Sequence, residues 1–388
     1  MVNTDLPTGS VAASAAHAEE VPVEPEDRIY VASQWQLMWW RFRKHKLAII
    51  SAFVVLLLYA VGLGAEFFAT HDPTAFNARY LFAPPARPRF VDAQGSFSLR
   101  PFVYGLAVGR DPVTLRWLYS EDPSQKHAVR FFVHGEPYKF LGPWTSDLHL
   151  MGVDDERAPF FLFGTDSMGR DLYSRVVYGT RISMSIGLVG VAMSLTFGIL
   201  LGGLSGYYGG VIDLAIQRLI EFLRSIPTIP LWMSLAAAMP RTLPPLQVYF
   251  YITVILSMIG WTGMARVVRG RFLALRSEDF VMAARISGSG ELRIILRHMV
   301  PSFVSHIIAS VSLSIPAMIL SETSLSFLGL GLRPPIISWG VLLQDAQNVR
   351  SVALAIWLLL PGLAVVVTVL AFNFLGDGIR DAADPYAR

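Results

Sequence analysis

The sequence predicts an all-α protein that crosses a membrane several times and carries an inserted domain outside it. Hydrophobic residues make up 53% of the 388 residues, charged residues only 16%, and the mean hydropathy is +0.47. That composition is too apolar for a soluble chain of this size. Six stretches lack Asp, Glu, Lys and Arg, and one long aromatic segment separates the first two of them.

The six apolar stretches are the predicted transmembrane helices, because a spanning helix needs about 20 mostly apolar residues. They cover residues 47–65, 182–212, 225–240, 242–265, 299–321 and 351–376. The third is short and contains Pro227 and Pro230, so we expect it to begin in the preceding turns. The second contains Gly187, Gly198 and Gly202, which allow close contacts between helices.

Basic residues orient these helices. Four of them precede the first stretch: Arg41, Arg43, Lys44 and Lys46. The loop 266–298 carries seven arginines against three acidic residues. Because basic loops stay on the cytoplasmic side, both regions and both termini are predicted to be cytoplasmic. Residues 1–34 are polar and acidic and are predicted to form a disordered cytoplasmic tail, and 35–69 form the first transmembrane helix with its basic approach.

Residues 70–163 are predicted to form an extracytoplasmic inserted domain. The segment is too long for a linker and too rich in aromatic residues for disorder. Two stretches, 130–134 and 138–141, have the pattern of short strands separated by a turn at 135–137, so the domain should contain β-structure. The remaining residues, 164–388, are predicted to form the core with five transmembrane helices and a cytoplasmic loop at 266–301.

The loop 266–301 holds the main functional candidates. Its second half has the pattern of two short helices broken at 288–290, with Ser277 as a possible cap and Pro301 marking the return to the membrane. A short helix with exposed small residues suits docking into a groove on another protein, and an ordinary interfacial helix is an equal alternative. The candidate residues are Asp279, Phe280, Ala283, Ala284, Arg285, Gly288, Glu291 and Pro301.

Catalytic and metal chemistry are not predicted for this chain. It has no cysteine, and none of its four lysines follows a glycine as a phosphate-binding loop requires. The histidines show no ligand spacing. The net charge of +3 is concentrated in particular loops, which indicates membrane orientation and not nucleic-acid binding.

The loop resembles the signature loop of ABC importer permeases. Ala283-Ala284 is followed by three residues, Gly288, nine residues and then the stretch 298–301. In that family the pattern begins Glu-Ala-Ala and ends Leu-Pro, and here Met282 and Val300 stand at the Glu and Leu positions.

Four further blocks resemble permeases of the dipeptide/oligopeptide type, in the same order along the chain. They are the basic stretch 41–47, the block 164–183 with Gly-Thr-Asp-Ser-Met-Gly-Arg-Asp, the block 325–340 with Leu-Ser-Phe-Leu-Gly-Leu-Gly, and the ending 373–385. Together they cover most of 35–388 apart from the inserted domain. The subunit resembled is the second, C-type permease.

This resemblance implies a type I importer permease fold in a bacterial inner membrane. It implies that the chain is not an enzyme and binds no cofactor, since ATP and Mg would be held by two cytoplasmic ATPase subunits. Its other partners would be a homologous second permease, an extracytoplasmic solute-binding protein and membrane lipid, without nucleic acid. The cargo would be a peptide or a similar small oligomeric solute, with an oligosaccharide or opine as alternatives. The candidate loop would couple the ATPases to transport.

Several alternatives are compatible with the sequence. An ion-coupled secondary transporter needs acidic groups near mid-membrane, which the apolar stretches nearly lack. A membrane-anchored scaffold or sensor would not need six spans. Glu322, at the end of the fifth stretch, either faces the substrate path or reaches water. The block around Asp166 and Arg170 is interpreted as a turn and helix cap, with Asp166 or Ser167 as the capping residue, in preference to a substrate contact.

Overall fold

The computed structural model describes residues 33–383, apart from 114, 115, 141–143, 154, 156, 157 and 241. The predicted disordered tail therefore lies almost entirely outside the described residues, and so does the end of the chain from 384 onwards.

The described chain is mainly helical, with one sheet inserted between its first two long helices. The helices, in chain order, are α1 (Gln34–Phe42), α2 (Lys46–Leu63), α3 (Ala65–Phe68), α4 (Leu172–Tyr208), α5 (Gly210–Ser225), α6 (Thr228–Ala237), α7 (Pro245–Leu275), α8 (Asp279–Ile286), α9 (Glu291–Arg293), α10 (Val300–Ser302), α11 (Val304–Phe327), α12 (Trp339–Gln344), α13 (Val349–Leu354) and α14 (Leu360–Ala383). A π-helical segment, Ile294–Met299, joins α9 to α10.

Five helices of the described chain are long and apolar enough to cross a membrane. They are α2, α4, α7, α11 and the segment Ile356–Ala383, in which a 3₁₀ turn leads into α14. Each matches one predicted stretch, but α4 begins at 172 against the predicted 182 and α7 ends at 275 against 265. Sequence hydropathy marks only the apolar part of a helix, and these two continue past it.

The third predicted span, 225–240, is not a single spanning helix. The structure has α6 there, with 10 residues. At 1.5 Å per residue α6 is roughly 15 Å long, about half of the hydrocarbon thickness. Pro227 precedes its first residue and Pro240 follows its end, and proline residues limit helices in this way. The preceding helix, α5, forms part of the connection between α4 and α7.

The helices α4 and α7 run parallel. Ser185 of α4 accepts a hydrogen bond from the Tyr249 hydroxyl (3.1 Å), near the start of α7, and Gly206 lies against Arg269 near its end. The chain between two parallel helices must return to its starting level. Accordingly, Ile220 of α5 packs with Trp261 of α7, and Ala236 of α6 joins the buried cluster near the start of α7.

Small residues of α4 allow the close approach to α7. A Cβ built on Gly202 would lie 2.4 Å from the Ala265 carbonyl oxygen, and one on Gly206 would lie 2.7 Å from that of Arg269. Gly198 meets Met264 in the same way at 2.6 Å. Glycines four residues apart lie on one face of the helix. Because they have no side chain, the backbones of two membrane helices can approach each other closely there.

The long helices have two distinct ends. At one end the start of α2 meets the end of α14, where Ala48 lies against Gly378, and the ends of α4 and α7 and the start of α11 lie there as well. At the other end Arg181, near the start of α4, donates to the Gly62 carbonyl at the end of α2 (2.8 Å). The first end carries α8 and exposed arginines, and we call it the arginine-rich end. The exposed arginines of the segment 266–297 are Arg266, Arg271, Arg276, Arg285, Arg293 and Arg297.

The inserted domain is a four-stranded antiparallel sheet in the order β1-β2-β3-β4, at the end opposite α8. The strands are β1 (Arg89–Val91), β2 (Phe97–Arg110), β3 (Trp117–Phe140) and β4 (Trp144–Val153). β2 pairs with the first half of β3 and β4 with the second half. A small core forms where the two halves meet, from Val103, Val129, Val153, Ala158 and Phe160.

The two short strands predicted at 130–134 and 138–141 are parts of the single strand β3. The turn signal at 135–137 instead produces a register shift between His134 and Tyr138, because Pro137 has no amide hydrogen for the ladder. The predicted β-containing domain is thus present, but its hairpin turns lie elsewhere. Leu141 lies outside the described residues.

Two contacts hold the sheet to the chain that follows α2, and an ion pair beside them joins α3 to α4. His149 of β4 bonds through Nδ1 to the Ala69 carbonyl (2.9 Å) and through Nε2 to the Glu136 carbonyl (3.1 Å). Tyr119 donates to the Leu81 carbonyl (2.7 Å), and burial raises the pKa of Tyr119 to about 12. Glu66 forms a bidentate ion pair with Arg181 at 2.6 and 2.8 Å. The sheet therefore packs against α3 and the segment after it.

Candidate functional site

The candidate site is the helix α8 with the turn that follows it. α8 begins at Asp279 after Glu278, whose backbone is extended, and no side chain caps it. The expected cap, Ser277, donates instead to the Ala274 carbonyl (3.2 Å). The loop also begins later than predicted, since α7 continues to 275.

Gly288 ends α8 in a Schellman motif. Its φ is +75°, its amide donates to the Arg285 carbonyl (3.0 Å), and the Ser289 amide donates to the Ala284 carbonyl (3.1 Å). These are the two bonds of that motif, and the left-handed residue between them is usually glycine. The predicted break at 288–290 is present, with α9 following at Glu291.

The inner side of α8 rests on a hydrophobic cluster at the arginine-rich end. Val281 is fully buried there, and Ala284 packs partly against the same cluster. The cluster draws on the ends of α4 and α7 and on the π-helical segment, through Tyr207, Phe272, Ile294, Ile295 and Met299. These elements end together at this point, so all of them contact the cluster on which α8 rests.

The outer side of α8 is apolar and exposed. Ile286 is 83% exposed, and Phe280 and Met282 are each 42% exposed. Asp279 and Ala283 share this exposure. Ala283 therefore belongs to the presented face, whereas Ala284, predicted to share it, is half-buried on the other side. An exposed apolar face on a short helix is typical of a docking element.

Two side chains of the site are turned back onto the end of α4. The Arg285 guanidinium lies 5.4 Å from the centre of the Tyr207 ring. The Tyr208 hydroxyl donates to the carboxylate of Glu291, the first residue of α9. Nearby, Arg269 of α7 pairs with both carboxylate oxygens of Asp213 in α5, at 2.5 Å each. Arg285 and Glu291 thus hold the loop in place and leave α8 to present its apolar face.

Pro301 lies where the chain re-enters the helix bundle. It is the second residue of α10 and follows the π-helical segment. Phe303, with φ of −130°, interrupts the helix, and α11 begins at Val304. π-helical turns inside helices are uncommon and often lie at functional sites. The predicted return to the membrane at Pro301 lies three residues before the start of α11 and stays a prediction.

Glu322 lies inside α11 and does not reach water, because its side chain is fully buried. Its Oε1 accepts hydrogen bonds from Ser326 (2.8 Å) and from Ser338 (2.8 Å), and Ser183 of α4 lies 3.5 Å from Oε2. Ser338 is also the N-cap of α12. Glu322 therefore joins α4, α11 and α12. Its assignment to the substrate path stays a prediction.

The block 164–171 forms a turn and a helix cap. Asp166 pairs with Arg170 (2.8 Å), and Asp171 caps α4 by accepting from the Ser174 amide (2.8 Å). The structural interpretation was therefore right in kind, although Asp171 and not Asp166 or Ser167 is the cap. Trp357 Nε1 donates to the Thr165 carbonyl (2.9 Å), which ties this block to the last long segment.

Sequence reasoning missed part of the site. Ile286 and Met282, the most exposed apolar residues of α8 besides Phe280, were not selected, although their i, i+4 spacing places them on one face. The supporting cluster around Tyr207 and Phe272 was missed as well, because those residues are remote in sequence. Among the described residues, no group of three His, Cys, Asp or Glu could hold a metal ion.

Comparisons with known proteins give the class first. A family model described as "Binding-protein-dependent transport system inner membrane component" matches residues 198–388. Another, described as "N-terminal TM domain of oligopeptide transport permease C", matches 33–85. Neither of these two models covers 86–197, which includes the sheet.

Two sequence relatives agree with these family models. The oligopeptide transport system permease protein OppC of Haemophilus influenzae is 37% identical over 264 residues, covering 67% of this chain and 82% of that protein. The dipeptide transport system permease protein DppC of Bacillus subtilis is 38% identical over 228 residues, covering 58% of this chain and 69% of that protein. A solved structure of the MetNI methionine ABC transporter, inward facing, is 17% identical with a TM-score of 0.43, covering 54% of this chain and 96% of that one.

The protein is thus a membrane-spanning transport subunit. More narrowly, the chain belongs to the family of binding-protein-dependent transport system inner membrane components, as an OppC/DppC-type permease. A permease of this family is not itself catalytic, and the family description implies ATPase and binding-protein partners. The predicted ABC permease is confirmed, together with its location as a multi-pass protein of the inner membrane.

Proposed function

We propose that this chain is the C-type permease of an importer for dipeptides or oligopeptides, and that it shares the peptide path with a homologous second permease. The observation that carries the proposal is the 37% identity to an oligopeptide permease over most of that protein's length. Oligosaccharides and opines remain the alternative cargoes, because a separate binding protein would select the solute before it reaches the membrane.

In this proposal α8 inserts into a groove on one of two cytoplasmic ATPase subunits, which hold ATP and Mg. The exposed face of Met282, Ala283 and Ile286 supports this role, as do the buried contacts of Val281 beneath it. When ATP draws the ATPases together, α8 moves with them, and the shared cluster transmits the movement to α4, α7 and α11. Such a device biases a two-state equilibrium between inward-open and outward-open forms.

The proposed topology has six crossings with both described ends in the cytoplasm. Five are the long helices, and the sixth is made by α5 and α6 in succession. The parallel course of α4 and α7 supports this, because the chain between them has to return across the same thickness. The exposed arginines around α8 support a cytoplasmic position for that end. The sheet then lies outside, where a binding protein can dock.

Reconstitution tests the proposed function directly. The permease is assembled in proteoliposomes with its second permease, both ATPases and the binding protein, and uptake of labelled peptides is measured with and without ATP. We expect ATP-dependent uptake of a di- or tripeptide that requires the binding protein. Uptake of an oligosaccharide or opine without uptake of any peptide would contradict the proposed cargo.

A further inference from the structure

A cavity of about 520 Å³ lies among α4, α6, α7 and α11. The residues around it come from the middle of the long helices: Ser194 of α4 and Gly260 of α7 are both near their helix centres. Its volume falls in the range of pockets for drug-sized ligands, about 300 to 1,000 Å³. It is separate from α8 and from the buried Glu322, neither of which lines it.

The wall of this cavity carries no charge. Among the described residues that line it, none is Asp, Glu, Lys, Arg or His. The polar groups are instead hydroxyls and one indole, which lie between Leu, Ile, Val and Met side chains. They belong to Ser194, Thr228, Trp232, Ser310, Ser314 and Ser321.

These polar groups provide both acceptors and donors. Ser314 donates to the Ser310 carbonyl (2.7 Å) and Ser321 to the Ala317 carbonyl (2.8 Å), so each hydroxyl oxygen keeps free lone pairs. By contrast, Ser194 Oγ and Trp232 Nε1 are buried without any hydrogen-bond partner within the described structure.

The unpartnered hydroxyl of Ser194 is unusual for its helix. Thr196, two residues further on, donates to the carbonyl four residues before it (2.9 Å). Ser194 instead points toward the neighbouring helix: a Cβ built on Gly260 would lie 2.6 Å from its Oγ. An unsatisfied polar group at membrane depth is costly, and a rotation of the Ser194 side chain toward the cavity would let a ligand or water relieve that cost.

We propose that this cavity is this chain's wall of the peptide path, and that it binds the amide groups of the peptide backbone without regard to side-chain charge. The inference rests on the proposed function. An amide offers one donor and one acceptor, and the wall supplies their complements from Trp232 and Ser194 on one side and from Ser314 and Ser321 on the other. A wall without charge neither attracts nor repels a lysine or glutamate side chain of the cargo. Charge selection then belongs to the binding protein.

The test places a charge on the wall. Ala317 lines the cavity and is exposed, so Ala317→Asp and Ala317→Lys put opposite charges at one point. Uptake is measured in reconstituted complexes for tripeptides with a central lysine, glutamate or alanine. The binding protein is the same throughout, so changes in the lysine-to-glutamate ratio report the permease. We expect the ratio to rise with Asp and fall with Lys, each on the order of tenfold for unit charges several ångströms apart.

Two glycines of α7 provide a second, matched pair. No atom lies within 4 Å of a Cβ built on Gly263, which lines the cavity, or on Gly270, which does not. We expect Gly263→Leu to fill the cavity and block all three peptides, and Gly270→Leu to leave uptake near wild type. Co-purification of the partner subunits shows that each variant assembles.

The outcomes distinguish a wrong assignment of the cavity from a wrong proposed function. Unchanged lysine-to-glutamate ratios in both Ala317 variants, or normal uptake by Gly263→Leu, would overturn the assignment of the cavity while leaving the peptide importer in place. A wild-type complex that takes up none of the three peptides overturns the proposed function, and the inference with it.

Discussion

Gly288 holds a φ of +75° where α8 ends, and a Cβ built on it meets no atom within 4 Å. A substitution there therefore acts through backbone conformation and not through a clash. For most L-residues the left-handed conformation costs about 1–2 kcal/mol, and asparagine tolerates it better. A substitution at Gly288 thus changes the backbone conformation of the loop without adding a side-chain clash.

We expect Gly288→Val to loosen the end of α8 and to uncouple ATP hydrolysis from uptake, and Gly288→Asn to retain most coupling. The measurement is the stimulation of ATPase activity by peptide and binding protein, set against uptake by the same proteoliposomes. Equal coupling in the Val variant and the wild type would mean that the turn does not need the left-handed backbone.

At the scale of the helix, the contact of α4 with α7 depends on glycine at 202. We expect Gly202→Ala to destabilise the protein by about 1–3 kcal/mol, because its new Cβ would lie 2.4 Å from the Ala265 carbonyl oxygen. Gly270→Ala is the matched control on the partner helix, where nothing lies within 4 Å and alanine should be neutral or slightly stabilising. Thermal unfolding in detergent compares the two. A stable Gly202→Ala variant would show that α4 and α7 are not in close contact.

Elements with local signals were predictable from the sequence. The break after α8 follows from Gly288, and the five long helices follow from uninterrupted apolar stretches. The third stretch misled the prediction because hydropathy alone does not show that Pro227 and Pro240 limit α6 to 10 residues. β3 was divided into two strands because a turn signal inside a strand resembles one between strands.

Features that depend on distant residues were not predictable. The side of α8 that packs is set by Tyr207 and Phe272, which reach the loop only after α4 and α7 have folded together. That is why Ala284 was assigned to the exposed face and Ile286 was not. The cluster of serines around Glu322 likewise joins residues from three separate helices.

On the scale of the whole molecule, the two ends of the bundle are specialised. The arginine-rich end presents the apolar face of α8, and the opposite end carries the sheet, which is held by His149 and Tyr119. An importer needs this separation, because the binding protein and the ATPases act on opposite sides of the membrane. The cavity lined by Ser194 lies between the two ends.

Cross-linking tests the central claim, that α8 is the contact through which an ATPase drives this permease. A photo-cross-linking amino acid is placed either at Ile286, which is 83% exposed on α8, or at Leu99, which is 87% exposed on β2. The complete complex is irradiated and its products are identified by mass spectrometry. We predict that position 286 links to an ATPase subunit and that position 99 does not. An ATPase linked at 99, or the absence of any ATPase product at 286 in an assembled and active complex, would contradict the account.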